Sequence, residues 1–427
     1  MPHEFSVTSG SAPVSGHGLK HTLLRCVWCG ETRAADLSGT CRRCGGTLRA
    51  DVCGDFSIPD DARSLWDFSS VLPVGEKPVM LGEGGTPLLK LDNLYPNDSV
   101  FVKADWMNPT GSFKDRGASV AVSVALSLGA EGIICASTGN NGAAVSAYAA
   151  RARLPCIVVL PEATPLGKVA QARACGATVA KVPGTFSDAY RFAERLATAT
   201  PGWANLTSTY INPYMTAAHA SITYELWGQL RENPGSILMP IGAGPMLDGI
   251  MAGAERLLNA GLIPSLPVPV GVQAAGCAPI AAAFADGSSE AEAWNRPNAT
   301  IAGSISDPLD GYPADGTRTL RIVRDTGGAC VAVSEEQIIS AMSDLACHEG
   351  ISAEPAAVTP LAALRLLDGD MPGFLRRPVV LVVSGHVLKD PQALPVDRSV
   401  LVAADGNTDL KKLVDLASRH FGEDRRG

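Results

Sequence analysis

Short apolar runs that end in turn formers alternate with longer runs of helical spacing over most of the chain. GIICAST (132–138), CIVVLP (156–161) and TVAKVPG (178–184) read as strands, separated by helices at NNGAAVSAYAARA (140–152) and LGKVAQARACGA (166–177). The pattern resumes with SILMP (236–240), a helix at 247–261 and VPVGVQA (268–274). It closes with ACVAV (329–333), helices at 334–350 and 354–367, and PVVLVVS (378–384). Continuous apolar strands alternating with helices predict an α/β fold with parallel sheets buried on both faces. Ligands of such sheets bind beyond the carboxyl ends of the strands, so the segments after each strand are the places to look for chemistry.

Composition narrows the class. Hydrophobic residues make up 46% and charged residues 18% of the 427, a balance that folds rather than stays disordered. The net charge of −8 gives no drive toward nucleic acid or an anionic membrane surface. No apolar run of membrane-spanning length occurs, so the expected partner is a small soluble molecule. The first residues, MPHEFSVTSGSAPVSGHG, have neither a basic nor an apolar signal region and read as a flexible leader, 1–20. With an odd count of eleven cysteines and no export signal, the expected compartment is the reducing cytoplasm.

Four cysteines form two CxxC pairs, Cys26/Cys29 and Cys41/Cys44, each followed by glycine. Paired knuckles of this kind hold tetrahedral zinc through four thiolates, and such a closed site is structural rather than catalytic. The expectation is a zinc-ribbon-like module over 21–55, with Cys53 as a bystander or substitute ligand. Residues 54 to 90, with four prolines and no sustained period, read as a linker into the main body.

The segment Asn108-Pro-Thr-Gly-Ser-Phe-Lys-Asp-Arg-Gly117 is the most informative. Ser112 and Asp115 have capping-box spacing and predict a helix running to about Leu128. Lys114 then falls in the first turn, where the helix dipole disfavours its charge. A lysine in that position is either a surface residue beside a cap or an amine with a lowered pKa, free to act as a nucleophile. Ser137, Thr138, Asn140 and Asn141 lie at a strand-to-helix junction suited to a carboxylate or a ring hydroxyl. Gly242, Ala243, Gly244, Pro245 and Met246 form a second junction whose amides suit a phosphate. Leu247 replaces the third glycine of a dinucleotide fingerprint, and the strand ending near Gln273 supplies no acid for a ribose, which argues against NAD. Ser384 ends the last strand with a hydroxyl. A reactive amine, a phosphate loop, an anion loop and a strand-end hydroxyl together describe a pyridoxal 5′-phosphate (PLP) pocket.

The ordered motifs GEGGTPL, NPTGSFKDRG, ASTGNN, LGKVAQ, INPY, the glycine loop, HEGISAEPAA and SGHVLKD resemble the threonine synthase-like group of fold-type II, tryptophan synthase β-like, PLP enzymes. The resemblance covers about residues 80 to 395 and extends to the cysteine ribbon. It implies a larger, discontinuous PLP domain (56–130 and 206–405), a smaller α/β domain (131–205) and a homodimer, and the residues beyond, 406–427, read as a polar tail. It also implies that Lys114 holds PLP covalently and then acts as general base at Cα. Asn140 would bond the ring hydroxyl, and Ser137, Thr138 and Asn141 would take the substrate carboxylate. Residues 242–246 would cradle the phosphate, and Ser384 would face the pyridine nitrogen. A neutral hydroxyl there makes the ring a weaker electron sink than a carboxylate would, favouring elimination and replacement at Cβ or Cγ over transamination.

Two departures stand out. Met215 occupies the position of an arginine in the group's NPxRxEGQK pattern, and methionine offers no partner for a phosphate dianion. The glycine loop reads GAGPM where members often read GNxGN. The expected activity is therefore β- or γ-elimination and replacement on an activated amino acid other than O-phosphohomoserine. The alternatives are a true threonine synthase with Lys168 or Arg116 supplying the charge, cysteate-synthase-like replacement, serine/threonine dehydration, and a catalytically inactive binding module.

Overall fold

The computed structural model describes Leu19, residues 21–75, 77–164 and 166–393, and Lys411 and Val414. The expected leader apart from Leu19, and the expected tail apart from Lys411 and Val414, lie outside the described residues. The described residues up to Ala393 form one compact unit.

Three antiparallel strands come first: β1 (Thr22–Cys26), β2 (Thr32–Ala34) and β3 (Leu48–Val52), in the order β2-β1-β3. Leu24, Leu48 and Ala50 on one face of this ribbon belong to the same apolar cluster as Leu65 and Phe68. The segment read as a linker is therefore packed: Leu65, Phe68, Val71 and Leu72 are buried, and Trp66 Nε1 donates to Glu83 Oε1 at 2.7 Å. Its irregular backbone hides this from the sequence, because single-turn structure carries no period.

Next come β4 (Leu88–Lys90) and β5 (Val100–Ala104), then α1 (Lys114–Ser127). A smaller sheet follows: β6 (Gly132–Ala136), α2 (Asn140–Ala152), β7 (Cys156–Pro161), α3 (Ala170–Ala174), β8 (Thr178–Val182), α4 (Phe186–Ala199) and β9 (Trp203–Asn205). Its order is β8-β7-β6-β9, all parallel. The helix expected over 166–177 is a 3-10 turn, Leu166–Val169, and then the short α3, after which Gly176 turns the chain at φ +80°.

The chain returns through α5 (Pro213–Ala218) and α6 (Ala220–Leu230) to β10 (Ser236–Pro240), α7 (Pro245–Asn259), β11 (Val268–Ala274) and α8 (Pro279–Ala285). It ends with α9 (Pro313–Asp325), β12 (Ala329–Val333), α10 (Glu335–Glu349), α11 (Pro355–Asp370) and β13 (Val379–Val383). The six-stranded sheet runs β12-β11-β10-β13-β5-β4, parallel except at β4, which is antiparallel to β5.

Alternation within the apolar runs explains the layering. In β13, Val379, Leu381 and Val383 face α10 and α11, while Val380 and Val382 join the cluster built on α7, α8 and α9. Ile237 and Met239 of β10 take the second side and Leu238 the first. Each such side chain contributes about 1.5–3 kcal/mol by leaving water, and a one-residue slip would send every one to the wrong layer. Register is thereby fixed. β6, β10 and β13 end at Ala136, Pro240 and Val383, just before Ser137, Gly242 and Ser384. Among the described residues no helix is long and apolar enough to cross a membrane.

Candidate active site

Beyond these strand ends lies one cavity lined by Lys114, Ser137, Thr138, Asn140, Asn141, residues 242–246 and Ser384. Segments far apart along the chain converge there because parallel strands deliver their carboxyl ends to one edge. Lys168, Asp307, Glu354, Lys389 and Asp390 also line it.

Lys114 opens α1, though not through the expected cap. Ser112 Oγ is buried with no hydrogen-bond partner among the described residues, and Phe113 is the capping residue. Asp115 reaches back instead to Thr110, accepting from its N and Oγ1 at 3.0 Å each. Ser112 pairs by backbone with Gly385, tying the lysine turn to the end of β13. Burial brings the Lys114 amine down to about 8, against the opposing pull of Cys135, Asp307 and Glu354. About a tenth of the amine is therefore neutral at pH 7, far more than for an ordinary lysine, as a nucleophilic amine requires.

Ser137 Oγ accepts from Gly139 N (3.2 Å) and Gly142 N (2.8 Å), which shapes the N-terminus of α2 and leaves its O–H for a ligand. Asn140 Nδ2 donates to Glu354 Oε1 at 2.8 Å, and Ser304 Oγ donates to Glu354 Oε2 at 2.8 Å. Asn141 directs its side-chain amide inward, to Cys135 Sγ at 3.0 Å and Leu206 O at 2.9 Å. Gly244 precedes α7 at φ +104°, and a Cβ there would collide with Thr319 Oγ1, so only glycine permits this loop. Pro245 takes the first helical position, where a missing N–H costs least. Ser384 is buried, and its carbonyl accepts from Phe113 N at 2.9 Å.

Sequence reasoning does not single out Glu354, Asp307 or Lys389. Glu354 carries one signal, a carboxylate directly before a proline that opens a helix. It caps α11 and is 2% exposed, and burial raises its pKa while Ser304 and Asn140 hold it down. Gly385 is small of necessity, since a Cβ there would collide with Glu354 Oε1.

Met215 does not line the cavity. It is 3% exposed, and its Cβ and Cε lie 3.3 Å from where a Cβ on Gly117 would stand, in the core behind α1. Arg116 is also withdrawn: its Nε donates to Asp105 Oδ2 (2.9 Å), its Nη2 to Glu225 Oε2 (2.9 Å), and nothing of it is exposed. The cations besides Lys114 that face the cavity are Lys168, 2.7 Å from Asp390 Oδ2, and Lys389, which donates to Thr110 O at 3.0 Å.

Away from the cavity, the sulfurs of Cys26, Cys29, Cys41 and Cys44 lie within 4.8 Å of one another. Cys26–Cys44 and Cys29–Cys41 stand at 3.5 and 3.6 Å, close to the ~3.8 Å that tetrahedral zinc with ~2.3 Å bonds imposes. The donor set fits a structural metal, and Cys53 falls outside the group. For Cys26, burial opposes the thiolate, but the Cys29 and Trp28 N–H groups bring it down to about 7.

A fold of this kind, with a lysine amine, a glycine loop at a helix N-terminus and a strand-end hydroxyl lining one cavity, belongs to PLP enzymes. Residues 79–385 match the family "Pyridoxal-phosphate dependent enzyme", and the chain belongs to it. It is 38% identical over 387 residues to a threonine synthase of Methanosarcina acetivorans, covering 87% of this chain and 93% of that protein. It is 37% identical over 391 residues to a threonine synthase of Methanocaldococcus jannaschii, covering 87% and 94%. A solved threonine deaminase from T.th. matches with a TM-score of 0.59 and 28% identity, over 70% of this chain and 92% of that one. The protein is thus a threonine synthase-like PLP enzyme of fold type II.

Proposed function

We propose that the protein converts O-phosphohomoserine to threonine and phosphate. The carrying observation is that the cavity presents Lys168 and Lys389 beside Lys114, while Met215, whose lack of charge argues for another substrate, packs in the core. Two ammonium groups lining the same cavity suit a phosphate leaving group, and the relatives named threonine synthase span nearly their whole length on this chain.

PLP fits the residues present. Lys114 would hold it covalently, Asn140 its ring hydroxyl, the first turn of α7 with residues 242–246 its phosphate, and Ser384 its ring nitrogen. Bound there, the cofactor supplies an electron sink for bonds broken at Cα and beyond. The chain does the rest. Lys114, neutral in part near pH 8, takes and returns the proton at the substrate Cα. Glu354 orients Asn140 by accepting from its Nδ2. Ser137 and Thr138 with the N-terminal turn of α2 hold the substrate carboxylate. Lys168 releases Asp390 to take the phosphate, with Lys389 beside it. Ser384, being neutral, leaves the ring without a fixed proton, which disfavours transamination and favours elimination with water addition.

The test is incubation with O-phosphohomoserine, reading phosphate and threonine together. Equimolar formation of both is the expected result. A spectral response and turnover with O-acetyl or O-phospho amino acids plus a thiol or sulfite, with none on O-phosphohomoserine, would overturn it.

A further inference from the structure

One acid in the cavity has no part in the chemistry above. Asp307 sits on the Ser306–Asp307–Pro308 turn before α9, facing the loop after β10. Its Oδ1 accepts from Leu309 N at 3.0 Å and Tyr312 OH at 2.8 Å. The Ala243 N–H faces the carboxylate and weakly favours its charged form. A Cβ on Gly242 would lie 3.2 Å from Asp307 Cβ and 3.5 Å from Oδ2, so the acid packs directly on the proposed phosphate loop. No ion pair among the described residues includes it.

That placement is paradoxical for an anion. A phosphate monoester carries about −1.5 to −2 charge at pH 7, and a carboxylate in contact with it would repel it. The loop is also short of a donor, because Pro245 has no N–H. A protonated carboxyl resolves both problems, since its O–H is a donor and its charge is zero. We propose that Asp307 completes the phosphate cradle as a neutral acid, donating from Oδ2, so that the cofactor's phosphate and one proton bind together. This rests on the reading that residues 242–246 hold that phosphate.

The surroundings agree. Burial raises the acid above the usual carboxylate range. The groups facing it are Lys114 from α1, Tyr312 at the cap of α9, Asp315 from α9, and Cys277 from the turn after β11. Only Lys114 among them is a cation. Asp315 is itself held up at about 7, chiefly by burial, and adds repulsion.

The probe is pyridoxine 5′-phosphate, which has the ring and phosphate but no aldehyde and so forms no bond to Lys114. Its affinity for the cofactor-stripped full chain is measured by calorimetry from about pH 5.5 to 9, in two buffers of different ionisation enthalpy. A cradle of amides alone binds more tightly as the phosphate loses its second proton near pH 6, then levels off. The proposal predicts the opposite limb: affinity falling up to tenfold per pH unit above the Asp307 transition, with close to one proton taken up per probe bound. Asp307→Asn keeps both Oδ1 contacts and supplies a permanent N–H donor. It is expected to bind at least tenfold more tightly than wild type at about pH 8.5 and to lose most of the proton uptake. Lys114 also titrates near 8 and Asp307 helps to set it, so the comparison is repeated in Lys114→Met, where that amine is gone. Wild-type binding without proton uptake, or identical pH slopes in the two proteins, overturns the role of Asp307 alone. No binding to wild type at any pH overturns the cofactor reading together with it. Proton uptake read on Lys114→Met with Asp307 intact keeps the test standing where Asp307→Asn folds poorly.

Discussion

Replacing Met215 by arginine separates two accounts of the site. If position 215 faced the substrate, Met215→Arg would restore a phosphate partner and improve O-phosphohomoserine binding. The geometry forbids that outcome. Met215 is 3% exposed, packed on Gly117, and surrounded by the cluster that joins α1, α5 and the ribbon. Arg116, beside Gly117 in the chain, already spends its charge on Asp105 and Glu225, so a second guanidinium finds no free carboxylate there. An unpaired buried cation costs several kcal/mol even after relaxation. The added length in a filled core costs about 1–3 kcal/mol more. Against a total stability of about 5–15 kcal/mol, Met215→Arg should unfold at much lower urea or fail to accumulate. Met215→Leu, close in volume, should lose less than about 1.5 kcal/mol, and Met215→Ala about 2–5 kcal/mol. Urea midpoints for the three variants, with KM for O-phosphohomoserine on the folded fractions, decide the matter. A Met215→Arg protein with wild-type midpoint and a lowered KM would refute the packing argument.

Other consequences can be measured as directly. Lys114 loses its proton at about 8 in the folded chain but only near 10.5 when unfolded, so the unfolded state binds more protons between those values. Cofactor-free protein should therefore gain stability as pH rises from about 8 toward 10.5, and Lys114→Met should lack that rise when the two are compared by denaturation. Gly244→Ala places a Cβ against Thr319 at φ +104°, and strain of about 1–3 kcal/mol should weaken cofactor affinity roughly ten- to hundredfold in a spectral titration. Metal analysis should give about one zinc per chain, and Cys41→Ser should lose it together with thermal stability. A metal-free chain of unchanged stability would contradict that assignment.

The legibility of this protein in its sequence follows from where each signal resides. β6, β7, β10, β11 and β13 can be read because layers cover both faces and demand unbroken apolar runs. α9 cannot, since it buries Asp315, Thr317, Arg318 and Thr319 among its apolar residues and so shows no clean stripe. Lys114, Asn140, Ser384 and residues 242–246 can be picked out because each sits at a junction with a local mechanism. Asp307 and Glu354 cannot, because their importance arises only when the turn before α9 and the cap of α11 meet loops far away in the chain. Met215 shows the converse error. Its place in a motif is legible, but which way a residue of α5 points depends on packing against Gly117, and the sequence pattern does not carry that direction.

The measurement that tests the central claim most directly is borohydride reduction of the protein as purified, followed by peptide mapping. The account predicts a single cofactor-bearing peptide modified at Lys114, and loss of both the label and turnover on O-phosphohomoserine in Lys114→Ala. A label on another lysine, or full turnover in that variant, would contradict it.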